Sequence, residues 1–157
     1  MRTLFAALAL LGACGRDAST GDAGKGLGDH VHLAPRGGTL VELGEEAAHL
    51  ELLLDAERGE LTAFALDGHA ERAVRLAQPS LSARIEPPGG EPFDLVLSAV
   101  ARPDSTGETV GDTSEFRGAS PRLRGIASFR IRFGRIEISG ASFDLPTLSF
   151  PDGNHGR

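Results

Sequence analysis

Four of the five histidines fall between positions 30 and 69: His30, His32, His49 and His69. His30 and His32 form an H-x-H pair. On an extended segment, residues i and i+2 point the same way, so both imidazoles can face one metal ion. His49 falls on the polar side of an alternating run, and His69 follows the next run in the turn Asp67–Glu71. These four residues make a candidate metal site, with Glu51, Asp67 or Glu71 as oxygen ligands. Imidazole nitrogen suits Cu(II), Zn(II) and Ni(II), and Cu or Zn is the expected ion. The plainer alternatives are polar residues in a tether for His30 and His32, an exposed strand residue for His49, and turn chemistry for His69. His155 sits in the terminal run Asp152–Arg157.

The elements that must position these residues are strands. Thr39–Leu43 and Ala47–Leu54 alternate, the second with Leu50, Leu52 and Leu54 on one face and His49 and Glu51 on the other. Asp55–Gly59 reads as a loop in which Gly59 takes positive φ. Leu61–Leu66 returns as a third strand. Pairing Leu54 with Glu60 sets Leu50 against Phe64 and His49 against Ala65, with His69 just past the same end of the hairpin. A helix over Gly44–Ala56 competes, since Glu, Ala and Leu are good helix formers, but period two fits the leucines better.

Further strands are expected at Ala73–Ala77, Leu81–Glu86, Pro92–Ala101 and Ile126–Phe133, with a last one at Phe143–Phe150 interrupted by Pro146. Pro87–Gly90 is a strong turn. Residues 102–124 read as a long loop with a short strand near Phe116. The phase slips at Gly134, since Phe129, Ile131 and Phe133 are odd-numbered while Ile136 and Ile138 are even, which calls for a bulge or tight turn. About eight short strands at roughly ten-residue spacing indicate an all-β fold. The spacing fits an antiparallel β-sandwich, Ig-like, or a small barrel.

The chain has 157 residues, enough for one domain and hardly two. With 16 basic and 22 acidic residues its net charge is -6, which argues against nucleic acid as a partner. The single cysteine, Cys14, excludes an internal disulfide and a four-Cys zinc site. Nothing supports an enzyme: no G-x-S-x-G occurs, and the only lysine, Lys25, follows no phosphate-binding loop. Gly37-Gly38 leads into a strand and reads as a turn. Arg122, Arg124, Arg130, Arg132 and Arg135 form a basic stretch, either a solvated strand face or a docking surface for an acidic partner or lipid headgroups.

Met1-Arg2-Thr3 precedes an apolar run, Leu4–Ala13, which is too short to span a membrane. It ends in Leu11-Gly12-Ala13-Cys14, which resembles the lipobox of bacterial lipoproteins. In that family the Cys sulfur is lipidated and becomes the new N-terminus. Acyl chains on Cys14 would anchor the protein to a membrane. Gly15 after the cysteine, by the family's sorting pattern, implies the outer membrane facing the periplasm. The expected organisation is a signal peptide at 1–13, a lipidated Cys14 and flexible tether at 14–29, one β domain at 30–150 and a disordered tail at 151–157. The tether, GRDASTGDAGKGLGD, is too polar to fold.

Three blocks stand out: His30–Gly44 with Pro35-Arg36-Gly37-Gly38, His49–Asp55, and Gly59–Glu71 ending in Asp67-Gly68-His69-Ala70-Glu71. Together they resemble small secreted or lipid-anchored bacterial proteins with the pattern H-x-H-x-x-P-H-G-G-x-L, companions of heavy-metal efflux systems. A similar P-H-G-G block occurs in the periplasmic adaptor subunits of those pumps. The resemblance implies a periplasmic β-sandwich with a role in metal handling and an efflux-complex protein as partner. His30, His32, His49 and His69 match the pattern. Arg36 stands where it has histidine, and a guanidinium does not bind metals because it stays protonated. A metal-free structural or interaction module of the cell envelope is the alternative.

Overall fold

A computed structural model of the chain describes residues 32–154. Cys14, His30 and His155, and with them the expected signal peptide and tether, lie outside the described residues. Ten strands follow in order: β1 (Thr39–Leu43), β2 (Ala48–Asp55), β3 (Glu60–Asp67), β4 (Ser80–Glu86), β5 (Phe93–Ala99), β6 (Glu115–Ala119), β7 (Phe129–Phe133), β8 (Ile136–Ile138), β9 (Ala141–Phe143) and β10 (Leu148–Phe150). One 3-10 turn, Pro121–Leu123, follows β6.

The fold is all-β and antiparallel. Eight strands form one sheet in the order β1-β2-β3-β6-β5-β4-β7-β10, nearly closed into a barrel, and β8 and β9 form a small second sheet. Of the two architectures that the strand spacing allows, the barrel keeps all eight strands in one ladder. Alternation makes its core. Leu50 and Leu52 of β2 meet Ala65 and Ala63 of β3, Phe116 of β6 meets Ala63, and Leu97 and Leu95 of β5 meet Leu81 and Ala83 of β4. These residues are buried in one cluster that continues to Ile131 and Leu148. Truncating a fully buried leucine such as Leu50 costs about 2–5 kcal/mol.

The β2–β3 register differs by one residue from the expected pairing. Asp55, not Leu54, lies opposite Glu60, so Leu50 faces Ala65 and His49 faces Leu66. The reason is local. The Asp55 carboxylate accepts the amides of Glu57 (3.1 Å) and Arg58 (2.9 Å), and its carbonyl accepts the amide of Gly59 (2.7 Å). Asp55 thus ends the strand rather than opening the loop, and Gly59 turns the chain at φ 69°. A one-residue slip moves every side chain of the partner strand to the other face. Phe64 and Leu66 therefore leave the barrel interior and join His49 and Glu51 outside.

The segment expected as a strand at Ala73–Ala77 makes only two isolated bridges, Leu66 to Ala73 and Leu76 to Thr113. The strand near Phe116 is present as β6. At Gly134 the chain passes so close to β4 that a Cβ would sit 2.3 Å from the Ser82 hydroxyl, and the Gly134 amide donates to the Ser82 carbonyl. The phase then changes, and both Ile136 and Ile138 are buried.

The two ends of the strand order meet at a seam. Thr39 Oγ1 donates to the Pro151 carbonyl at 2.8 Å. The Asn154 side chain accepts the Glu42 amide at 2.7 Å and donates to the Glu42 carbonyl at 3.0 Å, imitating a strand partner. Of the tail expected at 151–157, residues 151–154 thus run along β1.

Candidate functional site

The site lies on the outside of the barrel, where residues 32–38 cross β2 and β3 as a strap. Pro35 and Arg36 occupy the corner of a turn closed by the Gly37 amide on the Ala34 carbonyl, 3.1 Å, with Gly37 at φ 72°. Gly38 then passes so near β2 that a Cβ would lie 2.6 Å from the Leu52 carbonyl oxygen. Beneath the strap, Ala34 packs on Leu40, Leu66 and Ala70, a small apolar cluster separate from the core. The covering explains why His49 and Glu51, on the outer face of β2, are fully buried.

His32 arrives over His49. Their ring centroids are 4.9 Å apart, with the planes tilted by 57°. Each ring bonds through Nδ1 to a backbone carbonyl: His32 to His69 at 3.2 Å, His49 to Asp67 at 3.1 Å. A carbonyl only accepts, so Nδ1 carries the proton in both rings, and in the neutral imidazole the lone pair falls to Nε2. Histidines that ligate metals usually donate their other ring N–H in this way, which fixes tautomer and orientation.

The two carbonyls come from one turn. The Asp67 carboxylate accepts the amides of Glu71 (2.9 Å) and Arg72 (3.2 Å), while the Ala70 amide bonds the Asp67 carbonyl at 3.0 Å. The amide of Glu71 foremost, outweighing partial burial, holds the Asp67 carboxyl below its ordinary value. The Asp67 side chain is thus committed to the turn.

The structure brings His32 and His49 together and leaves His69 at their margin. The His69 ring is exposed, 6.5 Å from that of His32 and edge-on to it. Its backbone carbonyl serves the site. Of the expected oxygen ligands, Glu51 accepts the Arg36 and Gly38 amides at 2.7 and 3.0 Å and pairs with the Arg36 guanidinium at 3.1 Å. Glu71 is exposed. The nearest carboxylate is one that sequence reasoning missed: Glu46 Oε1 lies 3.7 Å from His32 Nε2. Its only sequence signal was its place in the β1–β2 turn, three residues before His49. Among the described residues, no group of three His, Cys, Asp or Glu side chains is placed to hold a metal ion.

Of the arginines of the basic stretch, Arg130 and Arg132 share the outer face of β7, and most of the five are engaged with other groups. Arg122 covers the Phe93 ring at 4.4 Å, Arg130 pairs with Glu86 at 3.4 Å, and Arg135 pairs with Asp144 at 3.6 Å. Arg124 donates to the Arg58 carbonyl, and Arg132 lies opposite Arg84.

Over the described residues, fold and site define a small, nearly closed β-barrel with a strap-covered histidine pair on its outer wall. No family model matches the chain, and neither a curated protein nor a solved structure matches it.

Proposed function

We propose that the chain is a lipid-anchored, non-enzymatic protein of the cell envelope that binds a transition metal ion, Cu or Zn, at the His32–His49 pair, as an accessory to a metal-efflux system. One observation carries the metal reading: two adjacent imidazoles, each oriented by an Nδ1–H bond to a backbone carbonyl, the arrangement usual for metal-ligating histidines. His30, two residues upstream of His32, and Glu46 are the candidates for completing the coordination. The lipobox-like run ending at Cys14 supports the anchor and the outer membrane facing the periplasm. The resemblance of residues 30–71 supports the efflux partner. Calorimetric titration of the purified chain with Zn(II), repeated with His49→Ala, tests the site.

A metal-free interaction module is the second reading. The observation favouring it is that, among the described residues, no three His, Cys, Asp or Glu side chains are grouped so as to hold a metal ion. Co-purification with a pump adaptor that survives chelator and His49→Ala would select it.

A further inference from the structure

His32 reaches His49 only because the strap lies down, and the strap's Pro35 turn is held to the barrel through one carboxylate. The Glu51 carboxylate is fully buried, although it sits on the outer wall of the barrel. Its hydrogen bonds among the described residues all come from the strap: the amides of Arg36 and Gly38, and the Arg36 guanidinium. The guanidinium also lies over the Phe64 ring, with Cζ 4.0 Å from the centroid. Phe64 is the cross-strand partner of Glu51, so one arginine grips two neighbouring strands. A buried carboxylate is costly unless it is paired and hydrogen-bonded, so Glu51 strongly disfavours a lifted strap.

We propose that Arg36 and Glu51 form a latch that positions His32 against His49, making them positioning residues for the metal site proposed above. This deepens that reading and rests on it for its ligand, while the geometry of the latch stands by itself. Arg36 occupies the fourth position after His32, on the far side of the Pro35 turn. Releasing it frees the chain that carries His32, whereas His49 remains fixed in β2 and held at the Asp67 carbonyl. The latch is an ion pair with one partner buried and the other partly exposed, with side-chain exposures of 0% for Glu51 and 38% for Arg36. The strap can therefore lift at the Arg36 side without opening the core.

Two readouts on the full chain separate the latch from the metal reading. The first is metal-free: a proton NOE between the His32 and His49 rings. It is expected in the parent protein and lost in Arg36→Ala, with the dispersion of the barrel resonances retained. Arg36→Lys keeps the charge but not the planar contact with Phe64, and is expected to restore part of the NOE. Glu51→Gln keeps the volume and removes the ion pair, and serves if Arg36→Ala misfolds. The second readout is a double-mutant cycle on Zn(II) affinity. Arg36→Ala is expected to cost about tenfold, and His32→Ala to cost much less in that background than in the parent. An NOE that persists in Arg36→Ala and Glu51→Gln, or additive losses in the cycle, would overturn the latch. A parent chain that shows the NOE and loses it in Arg36→Ala, yet binds no Zn(II), keeps the latch and overturns the metal reading.

Discussion

The imidazoles of His32 and His49 lie 4.9 Å apart, centroid to centroid, although 17 positions separate them in the chain and they belong to different elements. His49 is fixed in a strand. His32 is carried in by the strap, and the Asp67–Arg72 turn offers each ring a carbonyl. Two rings held by one turn are a preorganised pair, which lowers the entropy to be lost when a ligand binds.

The role of His69 follows from this arrangement. Its carbonyl orients His32, while its ring is exposed and 6.5 Å away. His69→Ala keeps the carbonyl, so Zn(II) affinity is expected to stay within about threefold of the parent. Calorimetry checks this. A loss as large as that of His49→Ala would place the His69 ring among the ligands.

The proposed anchor rests on Cys14. Cys14→Ser removes the sulfur that would carry the lipid, and each buried methylene of an acyl chain contributes about 0.8 kcal/mol to membrane binding. The variant is expected to move from the membrane fraction to the soluble periplasmic extract. Fractionation with immunoblotting reads the result, and an unchanged membrane fraction would contradict a lipid at Cys14.

Glu108 ties stability to pH. It is almost fully buried, which alone would raise its pKa, but hydrogen bonds from the Ser114 hydroxyl, the Thr106 hydroxyl and the Ser114 amide, with Arg75 nearby, hold its carboxyl below the ordinary 4.5. A depressed carboxyl stabilises the fold above its unfolded value, and that contribution is lost as the pH falls through the folded value. Glu108→Gln is therefore expected to lose about 2 kcal/mol at neutral pH, the scale of hydrogen bonds to a charged group. The difference from the parent shrinks below pH 4.5. Urea melts at about pH 7 and at successively lower pH below the ordinary carboxylate value follow this dependence.

The seam gives a second stability test. Asn154 supplies both the donor and the acceptor that Glu42 would find in a neighbouring strand. Asn154→Ala removes two hydrogen bonds and is expected to cost about 1–3 kcal/mol, with faster amide exchange at Glu42. Unchanged exchange there would mean that the barrel closes without Asn154.

Much of this was legible from periodicity. Thr39–Leu43, the buried odd-numbered residues of β5 and β7, and the phase change at Gly134 all follow from period two and turn chemistry. The hairpin register was not, because Leu50, Leu52 and Leu54 satisfy the core whichever residue of the partner strand lies opposite, and only the Asp55 side chain decides. The strand expected at Ala73–Ala77 failed because that stretch serves as a short bridge between β3 and the segment at Thr113. At the site, His32 and His49 were legible from residue type and spacing. The commitment of Glu51 to Arg36 was not, because it depends on the strap folding back over β2. Glu46 was missed for a similar reason, since a turn residue carries no periodic signal.

The most direct measurement of the central claim is the calorimetric titration of the purified chain with Zn(II), with Cu(II) as a second ion, beside His32→Ala and His49→Ala. A saturable site near one ion per chain, tighter than about 100 μM, and weakened about tenfold or more in each variant is expected for ligation by the pair. No binding tighter than about 100 μM, or binding that both alanine variants leave unchanged, would contradict a metal site at His32 and His49.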